Sequence, residues 1–231
     1  MPAIDVHAHL LPGVDDGSRT VDESISIARA MVEAGYSQLV CTPHVWPHLG
    51  NDASITPTRV TELQRALDAA EVPLKLHPGG EMNVGPHFLR GQPVTYAMLG
   101  RHTLFDFWDT ELPPEWDACI KHLTSRGIQP ILAHPERIHA FQINPDLIDV
   151  VQAQGIWLQC NLECLGDENN TARRALAEQW LKQDRYFMLG SDLHRLDTLP
   201  RRLHGLRRAT ELVGQHAVTR LTQTHPAMLL A

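Results

Sequence analysis

Seven short stretches rich in β-branched, leucine and aromatic residues recur along the chain, at 3–9, 38–43, 74–82, 102–108, 129–135, 156–162 and 186–192, each followed by a helix-like or connecting segment. Strands that alternate with helices predict a parallel sheet. The first helix is well marked. Thr20 followed by Glu23 makes a capping box, apolar residues at 25, 27, 28, 31 and 32 give a buried face, and Gly35 closes it. A second helix starts at Thr56-Pro57, with Val60, Leu63, Leu67 and Ala70 at helical spacing. Further helices are expected at 115–126, 145–154, 171–183, 200–213 and 216–223. No linker or low-complexity segment divides the chain, so we read one domain over residues 1–231. A barrel of about seven β/α units fits better than an open sheet, although periodicity alone does not decide closure.

Composition narrows the partners. A formal net charge of −7 argues against a nucleic-acid backbone, whose affinity comes from a basic surface, although Arg201, Arg202, Arg207 and Arg208 sit together. No apolar run approaches the ~20 residues of a membrane span, and the first residues lack the basic and apolar regions of a signal peptide. A cytoplasmic location with no membrane insertion is the expectation. The four cysteines, Cys41, Cys119, Cys160 and Cys164, therefore read as buried thiols rather than disulfides. None has an arginine six residues later, which disfavours a thiolate loop that cradles phosphate.

Histidine supplies 14 of 231 residues. A His-x-His pair such as His7 and His9 is then expected by chance about once, and alone it says little. Position carries the weight. In a parallel barrel the active site lies at the C-terminal ends of the strands, and there polar residues fall one after another. The first strand ends in His7 and His9, which share a side because the strand period is two. Later strand ends give His44 in "VCTPHVW", Glu81 in "HPGGEMN", Asp106 in "TLFDFW", His134 and Arg137 in "ILAHPER", and Asp192 and His194 in "MLGSDLH". The sixth stretch, "IWLQCNLE", offers Asn161 and Glu163 instead, and the loop "LPGVDDGS" adds Asp15 and Asp16. Imidazoles and carboxylates converging on one rim suit Zn²⁺, Mn²⁺ or Fe. They are too many for one ion, and closely spaced ions are standard machinery for phosphate-ester hydrolysis.

Taken in order, "DVHAHLLPGVDDG", "CTPH", "GGEM", "LAHPER" and "GSDLH" resemble the PHP (polymerase and histidinol phosphatase) superfamily, most closely its bacterial protein-tyrosine phosphatases of capsular and extracellular polysaccharide synthesis. Even the final "THPAMLL" is similar to that family's Asn-Pro-containing last helix. The resemblance implies an α/β fold, a distorted (β/α)7 TIM-like barrel. It implies two or three metal ions, Mn before Fe or Zn, held by His7, His9, Asp16, His44, Glu81, Asp106, His134, Asp192 and His194. It implies hydrolysis of phosphotyrosine in a protein, the tail of a bacterial tyrosine kinase, by a hydroxide that bridges two ions and attacks phosphorus. Two departures stand out. Asp106 is commonly glutamate in the family, and Leu199 occupies the place of an arginine that faces phosphate there.

Arg137 is the expected phosphate-binding guanidinium and, with Asp16, the expected catalytic residue. Arg201 or Arg202 substitutes for the missing second arginine only if the loop bends differently; Asp15 and His48 are candidates for the proton transfer, with Asp15 read as a turn residue ahead of that role. Asp5 is expected to support the ligands rather than join them. Trp46, Phe88, Trp108 and Trp116 are candidates for an aromatic wall, against ordinary packing. The rival reading is a phosphatase for a small metabolite such as histidinol phosphate. A third is a non-catalytic binding subunit, against which the complete ligand set argues.

Overall fold

Every pair of named strands is parallel, as the alternation of strands and helices predicts. The computed structural model describes residues 2–46, 52–89, 97–107, 111–169 and 171–230. Its strands are β1 (Ala3–Ala8), β2 (Tyr36–Cys41), β3 (His44–Val45), β4 (Lys75–Pro78), β5 (Glu81–Asn83), β6 (His102–Asp106), β7 (Gln129–Ala133), β8 (Trp157–Asn161) and β9 (Met188–Gly190). Two of the expected strands are interrupted. Pro43, which has no N–H for the ladder, separates β2 from β3, and Gly79-Gly80 separates β4 from β5. The breaks divide the ladder into β1-β2-β4 and β3-β5-β6-β7-β8-β9. The sheet curls until its first strand meets the chain just beyond its last: His9 N donates to Leu193 O at 2.9 Å and Asp192 N to His7 O at 2.7 Å.

Inside the curl, Ile4, Val6, Leu104, Ile131, Ala133 and Met188 form an apolar layer completed by Leu229. Residues two apart share a strand face, so β6 and β8 climb from this layer into polar positions: Leu104 to Asp106, Trp157 to Gln159 and Asn161. β1 breaks that parity. A register shift between Asp5 and Ala8 inserts a residue into the pairing with β2, and this bulge lets His7 and His9 continue the face begun by Ile4 and Val6.

The helices are α1 (Val21–Glu33), α2 (Thr56–Ala69), α3 (Trp116–Thr124), α4 (His139–Ile143), α5 (Leu147–Ala153), α6 (Leu162–Gly166), α7 (Thr171–Lys182), α8 (Leu199–Thr219) and α9 (His225–Leu229). Thr20 caps α1 through its hydroxyl at 3.2 Å from Glu23 N, while Glu23 accepts from Arg19 N rather than closing the box on Thr20. Outside the curl, α1 and α2 bury Ile27, Met31, Leu63 and Leu67 against Leu39 and Leu74. α3, α5 and α7 bury Ile120, Val151 and Trp180 against Phe105, Leu132 and Leu158. Each such side chain contributes about 1.5–3 kcal/mol. The helices expected at 200–213 and 216–223 join at Gly214, whose φ is +81°, and run through a π-helical turn at Arg220–Thr224 into α9. All four cysteines are buried free thiols, and no helix among the described residues is long and apolar enough to cross a membrane.

Close packing of α6 on α8 depends on Gly205, where an added Cβ would stand 1.9 Å from Leu162 O. Gly205→Ala is therefore expected to destabilise the chain by about 1–3 kcal/mol, read as a lower midpoint in urea unfolding. An unchanged midpoint would mean that α6 and α8 can separate freely.

Candidate metal centre

The loop after β1 is tied to that strand by backbone bonds from Ser18 N to His9 O and from Gly13 N to Ser18 O. Only glycine fits at position 17, since a Cβ would lie 2.2 Å from His9 O and 2.5 Å from His9 Cβ. This contact brings Asp15 beneath His9 and Asp16 to the rim. Asp15 Oδ2 lies 2.7 Å from His9 Nδ1 and accepts from His44 N at 3.0 Å, while its Oδ1 accepts from Gly17 N. Asp15 is thus a turn residue engaged in holding His9, and it is not among the residues lining the cavity above the site, which disfavours the alternative of proton transfer. The other proton-transfer candidate, His48, lies outside the described residues, as does Trp108.

The remaining residues converge. His7 Nε2 and His9 Nε2 are 3.2 Å apart, each 3.3 Å from Asp192 Oδ1 and 3.5 and 3.6 Å from Glu81 Oε2. Glu81 lies 2.8 Å from both His44 Nδ1 and, through its other oxygen, His134 Nε2. Asp16 Oδ1 stands 3.4 Å from His44 Nε2 and 3.3 Å from His194 Nε2. Two of these residues sit on unusual backbone. His134 and Asp192 have φ of +33° and +51°, a region that non-glycine residues rarely adopt, the first directly after β7 and the second two residues after β9.

Among the described residues, ligand atoms within 4.8 Å of one another fall into three groups: His9, Asp16, His44 and His194; His7, His9 and Asp192; and His7, Glu81 and His134. Asp106 belongs to none of them, although its buried carboxylate lines the same cavity. Asp106 Oδ1 is buried without a hydrogen bond, and Glu81 Oε2, though 2.8 Å from His44 Nδ1, makes none of good geometry; anionic oxygens buried in this way are costly unless a cation completes them. Mixed imidazole and carboxylate donors with two buried carboxylate oxygens short of hydrogen bonds fit divalent ions.

The electrostatics agree. Burial opposes charge on His7, but Glu81 and Asp192 outweigh it and push its pKa up to about 9. Burial likewise opposes charge on His44, which Asp16 and Glu81 lift to about 10. Burial would raise Asp192, yet His7, His9 and Arg137 hold it well below the carboxylate range. Asp106 is pushed well above that range by burial and then by the charge on Glu81. The cluster demands positive charge, and protons and metal ions compete for the same imidazole lone pairs. Titrating Mn²⁺ into the metal-free protein in weak buffer near pH 7 should therefore release protons from His7 and His44. The release should fade as pH rises through about 9 and about 10, with metal affinity rising over the same interval. No proton release near neutrality would contradict this picture.

The cavity of about 260 Å³ above the cluster is lined by Asp16, His44, Trp46, Glu81, Asp106, His134, Arg137, Asp192 and His194. Arg137 is 41% exposed, with Nη1 donating to Asp192 Oδ2 at 2.8 Å, so its remaining donors face the opening. Trp46 stacks on His44 with ring centroids 3.7 Å apart. Trp116 instead packs edge-on against Phe107, and the Phe88 side chain is not among those described.

Arg201 is a correction. It is not among the residues lining the cavity, and its guanidinium pairs with Glu163 Oε1 at 2.9 Å. Its neighbour Arg202 is buried, donating to Glu163, Ser191 O and Asp192 O, so it fixes the strand end rather than meeting a substrate. Asp5 supports the site through the backbone, accepting from His7 N and Ser191 N and from the Ser191 hydroxyl. Sequence reasoning missed Gln159, whose Oε1 lies 2.9 Å from His7 Nδ1. Its only signal was a glutamine two residues before Asn161 on the strand that lacked a histidine.

The model of the family described as "Capsular polysaccharide synthesis, CpsB/CapC" matches residues 3–231. The chain belongs to the CpsB/CapC family. Among its relatives, the tyrosine-protein phosphatase YwqE of Bacillus subtilis is 26% identical over 202 residues, covering 84% of this chain and 78% of YwqE. The tyrosine-protein phosphatase CpsB of Streptococcus agalactiae serotype V is 22% identical over 206 residues, covering 85% of each chain. A solved structure described with YwqE from Bacillus subtilis and CpsB from Streptococcus pneumoniae as "unique metal-dependent tyrosine phosphatases" superposes with a TM-score of 0.88 at 24% identity, over 98% of this chain and 94% of that one. The curled parallel sheet with its outer helices is thus the fold of this CpsB/CapC chain and of that neighbour.

Proposed function

We propose that this CpsB/CapC chain is a metal-dependent phosphatase that hydrolyses phosphotyrosine in proteins. Residues 1–231 would form one PHP-type domain, its curled sheet a distorted (β/α)7 barrel. His7, His9, Asp16, His44, Glu81, Asp106, His134, Asp192 and His194 would hold two or three ions, Mn before Fe or Zn. Bound there, such ions lower the pKa of water and neutralise phosphoryl charge. The observation that carries this reading is the buried Glu81, whose oxygens face four imidazoles while one oxygen makes no hydrogen bond of good geometry.

The chain's own residues do the rest. Arg137, fixed at one nitrogen by Asp192, would bind the phosphoryl oxygens with its free fork of donors. Asp15, Gln159 and Asn161 would hold His9, His7 and Asp192 in place. The exposed rim, where Asp16 is 71% accessible, favours a protein-borne phosphate over a small metabolite enclosed on all sides. A phenolate leaving group, with a pKa near ~10, needs little help from an acid, which agrees with Asp15 being engaged elsewhere. The relatives are named tyrosine-protein phosphatases and the family is described by capsular polysaccharide synthesis, which supports a phosphotyrosine protein as substrate and a role in that synthesis; within this reading the substrate is the tail of a cytoplasmic bacterial tyrosine kinase, as the motif resemblance implies.

The test is a comparison, with Mn²⁺ supplied, of a phosphotyrosine peptide, a phosphoserine peptide and histidinol phosphate. The phosphotyrosine peptide should be turned over far more efficiently than either alkyl phosphate. Equal turnover of histidinol phosphate would move the assignment to a metabolite phosphatase.

A further inference from the structure

The strand that supplies no candidate ligand is the one that holds two of them. On the inner face of β8, Asn161 Nδ2 donates to Asp192 Oδ2 at 2.8 Å, and Gln159 Oε1 lies 2.9 Å from His7 Nδ1. The Gln159 amide has one clear orientation, because its Nε2 donates to Cys160 O. Gly190 leaves it just enough room: a Cβ there would stand 2.8 Å from Gln159 Nε2 and 2.9 Å from His7 Cβ. With Oε1 as the acceptor, His7 keeps a proton on Nδ1, so Nε2, on the side of Glu81 and Asp192, is the atom left to serve as a ligand when an ion displaces its proton. His9, two residues along the same strand, is held through the same ring atom by the carboxylate of Asp15. One imidazole therefore has a neutral partner and the other an anionic one. A carboxylate partner raises the basicity of a ligating imidazole more than a neutral amide oxygen does, and it adds negative charge near the ion, which an amide does not.

We propose that Gln159 is the positioning residue for the ions bound through His7, and that its neutrality makes those ions the weaker, exchangeable part of the cluster. The proposal rests on the metal-centre reading above. Its effects are separable within the cluster, because the group of His9, Asp16, His44 and His194 contains no residue that Gln159 holds, whereas both other groups include His7.

The experiment is calorimetric titration of Mn²⁺ into the metal-free full chain and its Gln159→Met and Gln159→Glu variants, with the bound Mn²⁺ followed by electron paramagnetic resonance. The wild-type chain should bind in a tighter and a weaker class. Gln159→Met keeps the volume and removes the acceptor, and should weaken the weaker class by about 10–100-fold while leaving the tighter one in place. Gln159→Glu keeps an acceptor and adds charge, and should hold that class at least as tightly as the wild type. Should Gln159→Met fail to fold, the Gln159→Glu titration decides alone: affinity of the weaker class below wild type overturns the proposal. So does a Gln159→Met chain in which neither class weakens, or both weaken equally. A wild-type chain that binds no Mn²⁺ would fail differently, by removing the metal-centre reading itself.

Discussion

Glu81→Gln is expected to lower the affinity of the chain for Mn²⁺ by more than about 100-fold, because loss of an outer-shell partner alone costs 10–100-fold and Glu81 stands inside the cluster. Turnover at limiting metal should fall in step. Glu81 is within 3.6 Å of imidazole nitrogens on His7, His9, His44 and His134, so neutralising it removes the charge common to all four. A second consequence follows from the same geometry. His7 and His44 owe their raised pKa values in part to Glu81, so in the variant fewer protons are displaced per ion bound near pH 7. Calorimetry in two buffers of different ionisation enthalpy separates the two effects. Wild-type affinity in Glu81→Gln would show that the ions lie elsewhere.

Arg137→Ala is expected to reduce turnover of a phosphotyrosine peptide by about 10²–10³-fold, the usual loss when one aligned donor to developing charge is removed. Metal affinity should be preserved or raised, since the variant frees Asp192 from a cationic partner 2.8 Å away. Lysine at this position keeps the charge but not the fork, and should recover only part of the loss. Steady-state kinetics at saturating Mn²⁺, beside the metal titration, reads both quantities. A variant that loses metal and turnover together would make Arg137 a support for Asp192 instead of a phosphate ligand.

The pattern of strand and helix, and the rim at the strand ends, are legible in the sequence because they depend on local periodicity and on where parallel strands must end. His44, Glu81, His134 and His194 fall on one rim for that reason. The pairing of His7 with His9 is also legible, but its direction is not. Period-two alternation would turn His7 away from the face of Ile4 and Val6, and the bulge that reverses this is a property of the β1–β2 register, which no single strand encodes. The left-handed backbone at His134 and Asp192 was equally hidden, since histidine and aspartate adopt it more often than most residues but still in only a small fraction of positions. Arg201 was misplaced because the tight contact of α6 with α8 brings it to Glu163, and that contact depends on two glycines distant in sequence. Gln159 was passed over because a neutral amide on a strand reads as an ordinary polar residue until the imidazole 152 positions away is seen beside it.

If the convergent rim is a multi-ion site on which catalysis depends, metal content and activity must be lost and regained together. The purified chain, stripped with a chelator and dialysed, should lose its activity on a phosphotyrosine peptide together with its ions. Adding Mn²⁺ should restore activity as two or three equivalents per chain are taken up. Full activity in the metal-free chain, or saturation at a single equivalent, would contradict the account.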